Sequence, residues 1–240
     1  MINNDSWIFN KPIAHRGLHN EQFPENSAGA FDNAIAHGFP IEMDVHMLAD
    51  GALIVFHDDN LKRMTGDGRD IESITLAEAK TLRLAGSNYG LPTMEEFLSL
   101  VSGRVPLLIE IKNSGKVGAL EQKLIDLLSG YKGEYAVQTF NPNSLAYFKA
   151  NAPKVPRILL SCDFGKDTDL AFFKKFVLRH LFLLKKSGAQ VINYDIRQLP
   201  RRRATKSGLP IMCWTVRSQA DYEQSKAVAR NVIFENFIPS

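Results

Sequence analysis

The sequence predicts an α/β fold: a (β/α)8 TIM barrel with a small hairpin-containing insertion after the second barrel strand. Three observations carry this expectation. Short apolar, strand-like runs alternate with helix-like segments along nearly the whole chain. The 240 residues come close to the roughly 250 that such a barrel needs. The chain also offers one strand more than a closed barrel holds, and that strand follows an Asp50-Gly51 turn. A tight Asp-Gly link joins antiparallel strands, whereas barrel neighbours are parallel and need a crossover. The run 53–57 is therefore expected to leave the barrel, and the other eight strands to form it.

Taken in order, Pro12-Ile13-Ala14 is a short strand that gives way to a loop at His15-Arg16-Gly17. Asn26 or Ser27 caps a helix running to about His37, and Gly38 stops it. The stretch Pro40 to Asp59 holds the second barrel strand, the two-residue Asp50-Gly51 turn and the returning run 53–57. The rest of the insertion, 47–92, reads as loop-rich with a small helix at 76–84. Pro92-Thr93 caps a helix over 94–102, strand 105–112 follows, and a helix lies near 119–128. Tyr135 to Phe140 is a strand opening through Asn141-Pro142 into a helix that ends near Asn151. Runs at 157–162, 191–195, 211–216 and 231–234 supply the remaining strands. Residues 1–240 are expected to make one domain.

Composition narrows the function classes. The longest apolar concentration, 172–184, is too short and too interrupted by Lys174, Lys175 and Arg179 to span a bilayer. Residues 1–11 contain Asp5 and no apolar core, so no secretory signal is read and a cytoplasmic location is expected. Cys162 and Cys213 lie in apolar runs without metal spacing and read as reduced core thiols. Charge is uneven. Residues 172–206 carry ten basic side chains against one acid, Asp195, a net +9 that leaves −6 on the remainder of a chain whose total is +3. No recognised nucleic-acid reading motif organises it, so nucleic acid is not expected as a partner. An amphipathic, Lys/Arg-flanked segment of this kind suits peripheral contact with an anionic membrane. The bland alternative is a barrel helix followed by a solvated basic loop.

Two stretches carry chemistry. Read as a strand, 41–47 puts Glu42, Asp44 and His46 on one face and Ile41, Met43 and Val45 on the other. Strand 106–112 places Glu110 and Lys112 on one face of an otherwise apolar run. Buried charge is costly unless paired or metal-bound, so two such strands point to a shared pocket. His15, Glu42, Asp44 and Glu110 also lie near the C-terminal ends of their strands, where barrel active sites sit.

The motifs His15-Arg16, Pro24-Glu25-Asn26, Glu42-x-Asp44-Val45, Asp50-Gly51, His57-Asp58-x-x-Leu61-x-Arg63-x-Thr65-Gly66 and Leu91-Pro92-Thr93 resemble, in order and spacing, those of the glycerophosphodiester phosphodiesterases. Glu110-x-Lys112, Phe140-Asn141-Pro142 and Trp214-Thr215-Val216 continue the resemblance, less specifically, to the last strand. It implies a metal-dependent enzyme that cleaves deacylated glycerophospholipids to glycerol 3-phosphate and an alcohol. By resemblance, Glu42, Asp44 and Glu110 hold a divalent cation. An all-carboxylate set suits Mg²⁺ or Ca²⁺ rather than a thiol-bound zinc. His15 and His57 match the acid–base pair. Arg16 and Lys112 match residues that bring positive charge to the phosphate, and Phe140 and Trp214 are expected to contact the glycerol or fill the barrel mouth. In the mechanism that the resemblance implies, the glycerol 2-hydroxyl attacks phosphorus and the cyclic phosphate is then hydrolysed.

Departures from the family pattern fall on the substrate side: Leu48 before the Asp-Gly turn, Arg217 after Trp214-Thr215-Val216, and Asn231 to Asn236 without the usual Gly-Asp-Gly. They leave the substrate-side contacts and the leaving group open; the oligomeric state is not read from the sequence. The competing expectations are a lysophospholipase D-like enzyme acting on bulkier lipid diesters, and a non-catalytic barrel that binds phosphate or membrane.

Overall fold

A computed structural model of the protein describes residues 2–113, 115–163, 178 and 180–240. The stretch 172–177 and Arg179, which belong to the basic segment singled out above, lie outside the described residues. The chain divides into two compact units, residues 14–135 and residues 1–13 with 136–240.

In the first unit, Ala14 of β1 (Ile13–Ala14) pairs in parallel with Ile41 of β2 (Ile41–Met47). β2 pairs antiparallel with β3 (Leu53–Val55) and parallel with β4 (Leu107–Ile111). In the second unit β5 (Tyr135–Thr139), β6 (Arg157–Ser161), β7 (Val191–Asp195), β8 (Ile211–Val216) and β9 (Asn231–Phe234) run parallel, each beside the next. With helices between them, the eight parallel strands form a (β/α)8 barrel, the fold class read from the sequence. Almost every residue of these strands is buried, because parallel sheet is covered on both faces.

Local chemistry sets the helix starts. After α1 (Trp7–Asn10), α2 (Ala28–Ala36) begins where Ser27 Oγ accepts from Ala30 N at 3.2 Å. Before α5 (Met94–Val101), Thr93 and Glu96 cap each other reciprocally, Glu96 N on Thr93 Oγ1 and Thr93 N on Glu96 Oε2. Phe31 of α2 and Phe97 of α5 meet edge to face at 4.6 Å, both buried.

The insertion differs from its sequence reading in three places. The hairpin link is longer than two residues: Gly51 N closes on Leu48 O and Leu48 N on Ala52 O, with Gly51 left-handed at φ 84°. That is a type of loop in which glycine carries the positive φ. The helix expected over 76–84 ends early, as α4 (Leu76–Ala79), after α3 (Lys62–Thr65). Thr81 N and Leu82 N bond three residues back, and Thr81 Oγ1 takes Glu78 O, so the α-ladder is not continued. Finally, the loop-rich stretch has its own core, in which Leu48, Phe56, Leu61, Met64, Ile71 and Leu84 pack together.

Truncating Phe97 to Ala removes the ring contact that seats α5 on α2. The expected loss is about 3–5 kcal/mol of unfolding free energy, read by urea denaturation.

Candidate active site

Register brings the acids together. Parallel pairing sets Asp44 of β2 opposite Glu110 of β4, and Glu42 opposite Leu108, two residues earlier on the same face. One ligand oxygen from each of Glu42, Asp44 and Glu110 lies within 4.8 Å of the others, and all three residues are buried. Burial, then the neighbouring Asp44 and Glu110, pushes the Glu42 carboxyl well above its ordinary range. Glu110 is also raised, by burial, with Lys112 opposing and Asp44 assisting. Asp44 goes the other way. Burial alone would raise it, but Lys112, His57 and Arg16, with a hydrogen bond from Asn26, hold it well below the usual carboxylate range.

The two cations face the acids. Lys112 Nζ lies 2.7 Å from Glu110 Oε1 and 3.2 Å from Asp44 Oδ1. Arg16 bonds Glu25 Oε1 through Nη1 at 2.7 Å, and its Nε lies 3.5 Å from Asp44 Oδ2. Arg16 sits at φ 54° and Asn26 at φ 56°, a left-handed backbone that side-chain residues adopt only when the surroundings insist. The surroundings here are specific. Arg16 N donates to Glu42 Oε2 at 3.1 Å, Asn26 N to Arg16 O at 3.0 Å, and Asn26 Nδ2 to Asp44 Oδ2 at 2.9 Å. At Gly17 a Cβ would lie 2.8 Å from the Ala30 carbonyl carbon, so glycine allows the loop to press against α2.

Both histidines border the cluster. His15 Nε2 is 4.0 Å from Glu42 Oε2. His57 Nδ1 is 2.6 Å from Asp58 Oδ1. Burial lowers the His57 pKa, outweighing the pull of Asp44. His46, although two residues from Asp44 on the same strand, turns to other partners: its Nε2 is 3.3 Å from His57 O and its Nδ1 3.6 Å from Glu72 Oε1.

The three carboxylates fit a divalent cation. Asp44 Oδ1 is buried and accepts no hydrogen bond, despite the nearby ammonium. Burial and mutual repulsion raise Glu42 and Glu110, and a hard cation with open positions suits clustered oxygen donors of this kind. Of the residues singled out from sequence, His15, Arg16, Glu42, Asp44, His57, Glu110 and Lys112 all belong to the unit 14–135. Phe140 and Trp214 belong to the other, where they meet edge to face at 5.6 Å and Trp214 Nε1 donates to Asn193 O. Sequence reasoning gave Asp58 no role, and gave Asn26, with Glu25, the helix start and the orienting of Arg16 but no bond to Asp44. Their places inside the two best-matched motifs were the available signal.

A model described as the Glycerophosphoryl diester phosphodiesterase family matches residues 15–238. The chain belongs to that family. It is therefore a glycerophosphodiester phosphodiesterase, a hydrolase. A glycerophosphodiester phosphodiesterase of Caldanaerobacter subterraneus is 31% identical over 226 residues, 88% of each chain. Another, from Bacillus altitudinis, is 32% identical over 172 residues, 67% of this chain and 70% of that one. Among solved structures, an Oleispira antarctica phosphodiesterase in complex with the product sn-glycerol-3-phosphate superposes with a TM-score of 0.77 at 21% identity. That match covers 95% of this phosphodiesterase and 93% of the other. It shares the barrel fold. Among the described residues no helix is long and apolar enough to cross a membrane.

A cation that binds the folded state alone must stabilise it. Mg²⁺ or Ca²⁺ at 100 times its Kd should add about 2.7 kcal/mol to the unfolding free energy. Differential scanning fluorimetry should show this for the wild type and a much smaller shift for Asp44→Asn. A wild-type melting curve indifferent to both ions would count against the cluster as a metal site.

Proposed function

We propose that the enzyme hydrolyses glycerophosphodiesters to glycerol 3-phosphate and an alcohol at Glu42, Asp44 and Glu110, with His15 and His57 as the acid–base pair. The observation that carries this reading is the buried trio of carboxylates within 4.8 Å of one another, with His15 Nε2 4.0 Å from Glu42. Glu42, Asp44 and Glu110 would hold Mg²⁺ or Ca²⁺, which when bound supplies Lewis-acid polarisation of the phosphoryl oxygen. Family membership and the acidic cluster support the ion; its identity is part of the proposal.

The proton work follows from the chain's own groups. Burial opposes ionisation of Asp58, but hydrogen bonds from Arg63 and His57 win and hold its carboxyl below the usual range. An ionised Asp58 can only accept, so His57 Nδ1 donates and Nε2 keeps its lone pair. A neutral His57 is suited to take the proton of the glycerol 2-hydroxyl as its oxygen bonds phosphorus. His15 delivers a proton to the departing alcohol oxygen as the P–O bond breaks. The roles then exchange as water opens the cyclic phosphate. Arg16 and Lys112 offset phosphate charge, Arg16 with a forked donor set and Lys112 as a compact charge.

Release of glycerol 3-phosphate from glycerophosphocholine should stop with chelator and return with Mg²⁺ or Ca²⁺. His15→Ala and His57→Ala should each lower kcat by roughly 10²–10⁴. Because the base acts when neutral, kcat/KM should rise with pH through His57. Its lowered pKa puts that limb below about 6.5. A His57→Ala enzyme with normal kcat would remove the residue from the mechanism.

We also infer that the basic region within 172–206 lets the enzyme rest on anionic lipid, near the membranes from which its substrates derive. Phe182 supports this. It is 54% exposed, stacks on His180, and lies 5.2 Å under the Arg203 guanidinium, with Lys185, Lys186 and Arg202 exposed nearby in sequence. Vesicles containing anionic lipid should sediment the enzyme at low salt and release it as salt rises, whereas zwitterionic vesicles should not. Arg201→Glu, Arg202→Glu and Arg203→Glu together should reduce sedimentation and spare turnover of glycerophosphocholine. Equal sedimentation with both vesicle types would overturn the electrostatic reading.

A further inference from the structure

Arg63 stands at the surface of the insertion, its side chain 48% exposed, yet among the described residues every hydrogen bond of its guanidinium goes to one of two carboxylates. Nε and Nη2 bond Asp58 Oδ2 and Oδ1 at 2.6 and 3.0 Å. Nη1 and Nη2 bond Glu25 Oε2 and Oε1 at 2.8 and 2.6 Å. Each carboxylate also holds a residue of the active centre. Asp58 Oδ1 is 2.6 Å from His57 Nδ1, and Glu25 Oε1 accepts from Arg16 Nη1 at 2.7 Å. One guanidinium thus joins the loop that carries Asp58, 5 residues before it, to the loop that carries Glu25, 38 residues before it. Its own support is firm. Arg63 lies between Leu61 and Met64, both buried in the insertion's core, on the short helix α3 closed by left-handed Gly66.

Exposed ion pairs of this kind contribute little to stability. What a doubly bidentate arginine supplies is orientation, since its planar fork fixes two carboxylates at once. We propose that Arg63 is a positioning residue: by clamping Asp58 and Glu25 together it sets the tautomer and direction of His57 and the placement of Arg16. The clamp rests on the roles given to those two residues above. A lysine could meet one carboxylate but not both in parallel pairs. Arg69 is the natural control. It makes the same kind of surface pairs, with Asp67 and Glu78, is 47% exposed, and its side chain touches none of the active-centre residues.

The test compares Arg63→Ala, Arg63→Lys, Asp58→Asn, the double variant R63A/D58N, and Arg69→Ala with the wild-type holoenzyme, each with a melting curve. Arg63→Ala should lose roughly ten- to a hundredfold in kcat, the scale expected for misplacing a reacting group, at a melting temperature like that of Arg69→Ala. Arg63→Lys should stay nearer to Arg63→Ala than to wild type, free guanidinium at low millimolar concentration should restore part of the Arg63→Ala rate, and Arg69→Ala should keep full activity. The double variant should be no slower than the worse single one. Nitrogen-15 NMR of the His57 imidazole reads the clamp without turnover: Nδ1-protonated in wild type, a tautomer mixture in Arg63→Ala. An unchanged tautomer, an unchanged kcat, or losses that multiply in the double variant would each overturn the clamp. A wild type that releases no glycerol 3-phosphate would overturn the reaction assigned above, and the imidazole spectrum would still decide the role of Arg63.

Discussion

The structure depends on keeping three carboxylates buried side by side on β2 and β4. In an interior of low effective dielectric, like charges at such spacing repel strongly, and the arrangement survives only with compensation. Lys112 supplies part of it from the residue that follows β4, two residues after Glu110, where Lys112 N still bonds Val45 O and the extended backbone keeps both side chains to one face. Arg16 supplies the rest from the loop after β1. The opposite directions of the shifts at Asp44 and Glu42 follow from this placement. Asp44 has Lys112, His57 and Arg16 acting on it, whereas Glu42 has burial and two acids against one arginine. A one-residue slip of β2 against β4 would turn Asp44 away from Glu110, so register and chemistry are specified together.

The left-handed backbone at Arg16 and Asn26 is a second consequence. Such conformations cost about 1–2 kcal/mol for a residue with a Cβ. Here they turn Arg16 N toward the Glu42 carboxylate and Asn26 Nδ2 toward Asp44, and the two residues are tied by Asn26 N on Arg16 O. Donors are thereby fixed around the acids before any substrate arrives, in keeping with preorganised electrostatics.

Much of this was legible in the sequence because it rests on local rules. Period-two alternation placed Glu42, Asp44 and Glu110, and Ser27 and Thr93 announced their helices as capping residues. The extra strand was explained by the incompatibility of a tight turn with parallel neighbours. What was not legible depends on contacts far apart in the chain. The insertion's core draws Leu48, Phe56, Leu61, Met64, Ile71 and Leu84 from short turns with no common period, so it read as loop. His46 has the parity of a ligand, yet its neighbours are Glu72 and the His57 carbonyl, which alternation alone cannot foretell. Arg63 stood in a family-like motif without a role, because one of its two carboxylates, Glu25, lies 38 residues away and only folding brings it near.

The antiparallel hairpin explains how groups on different supports keep a fixed geometry. The carboxylates stand on barrel strands, whereas His57 follows β3, outside the parallel set. Two bonds bridge the gap. Phe56 N donates to the Asp44 carbonyl at 3.1 Å, one residue before His57, and the His46 ring meets the His57 carbonyl at 3.3 Å. The backbone of His57 is thus pinned to the strand that carries two of the three acids, and its imidazole is held separately by Asp58. Because the hairpin sets position and the Asp58 pair sets direction, the insertion shares in building the candidate site although β3 stands outside the parallel set.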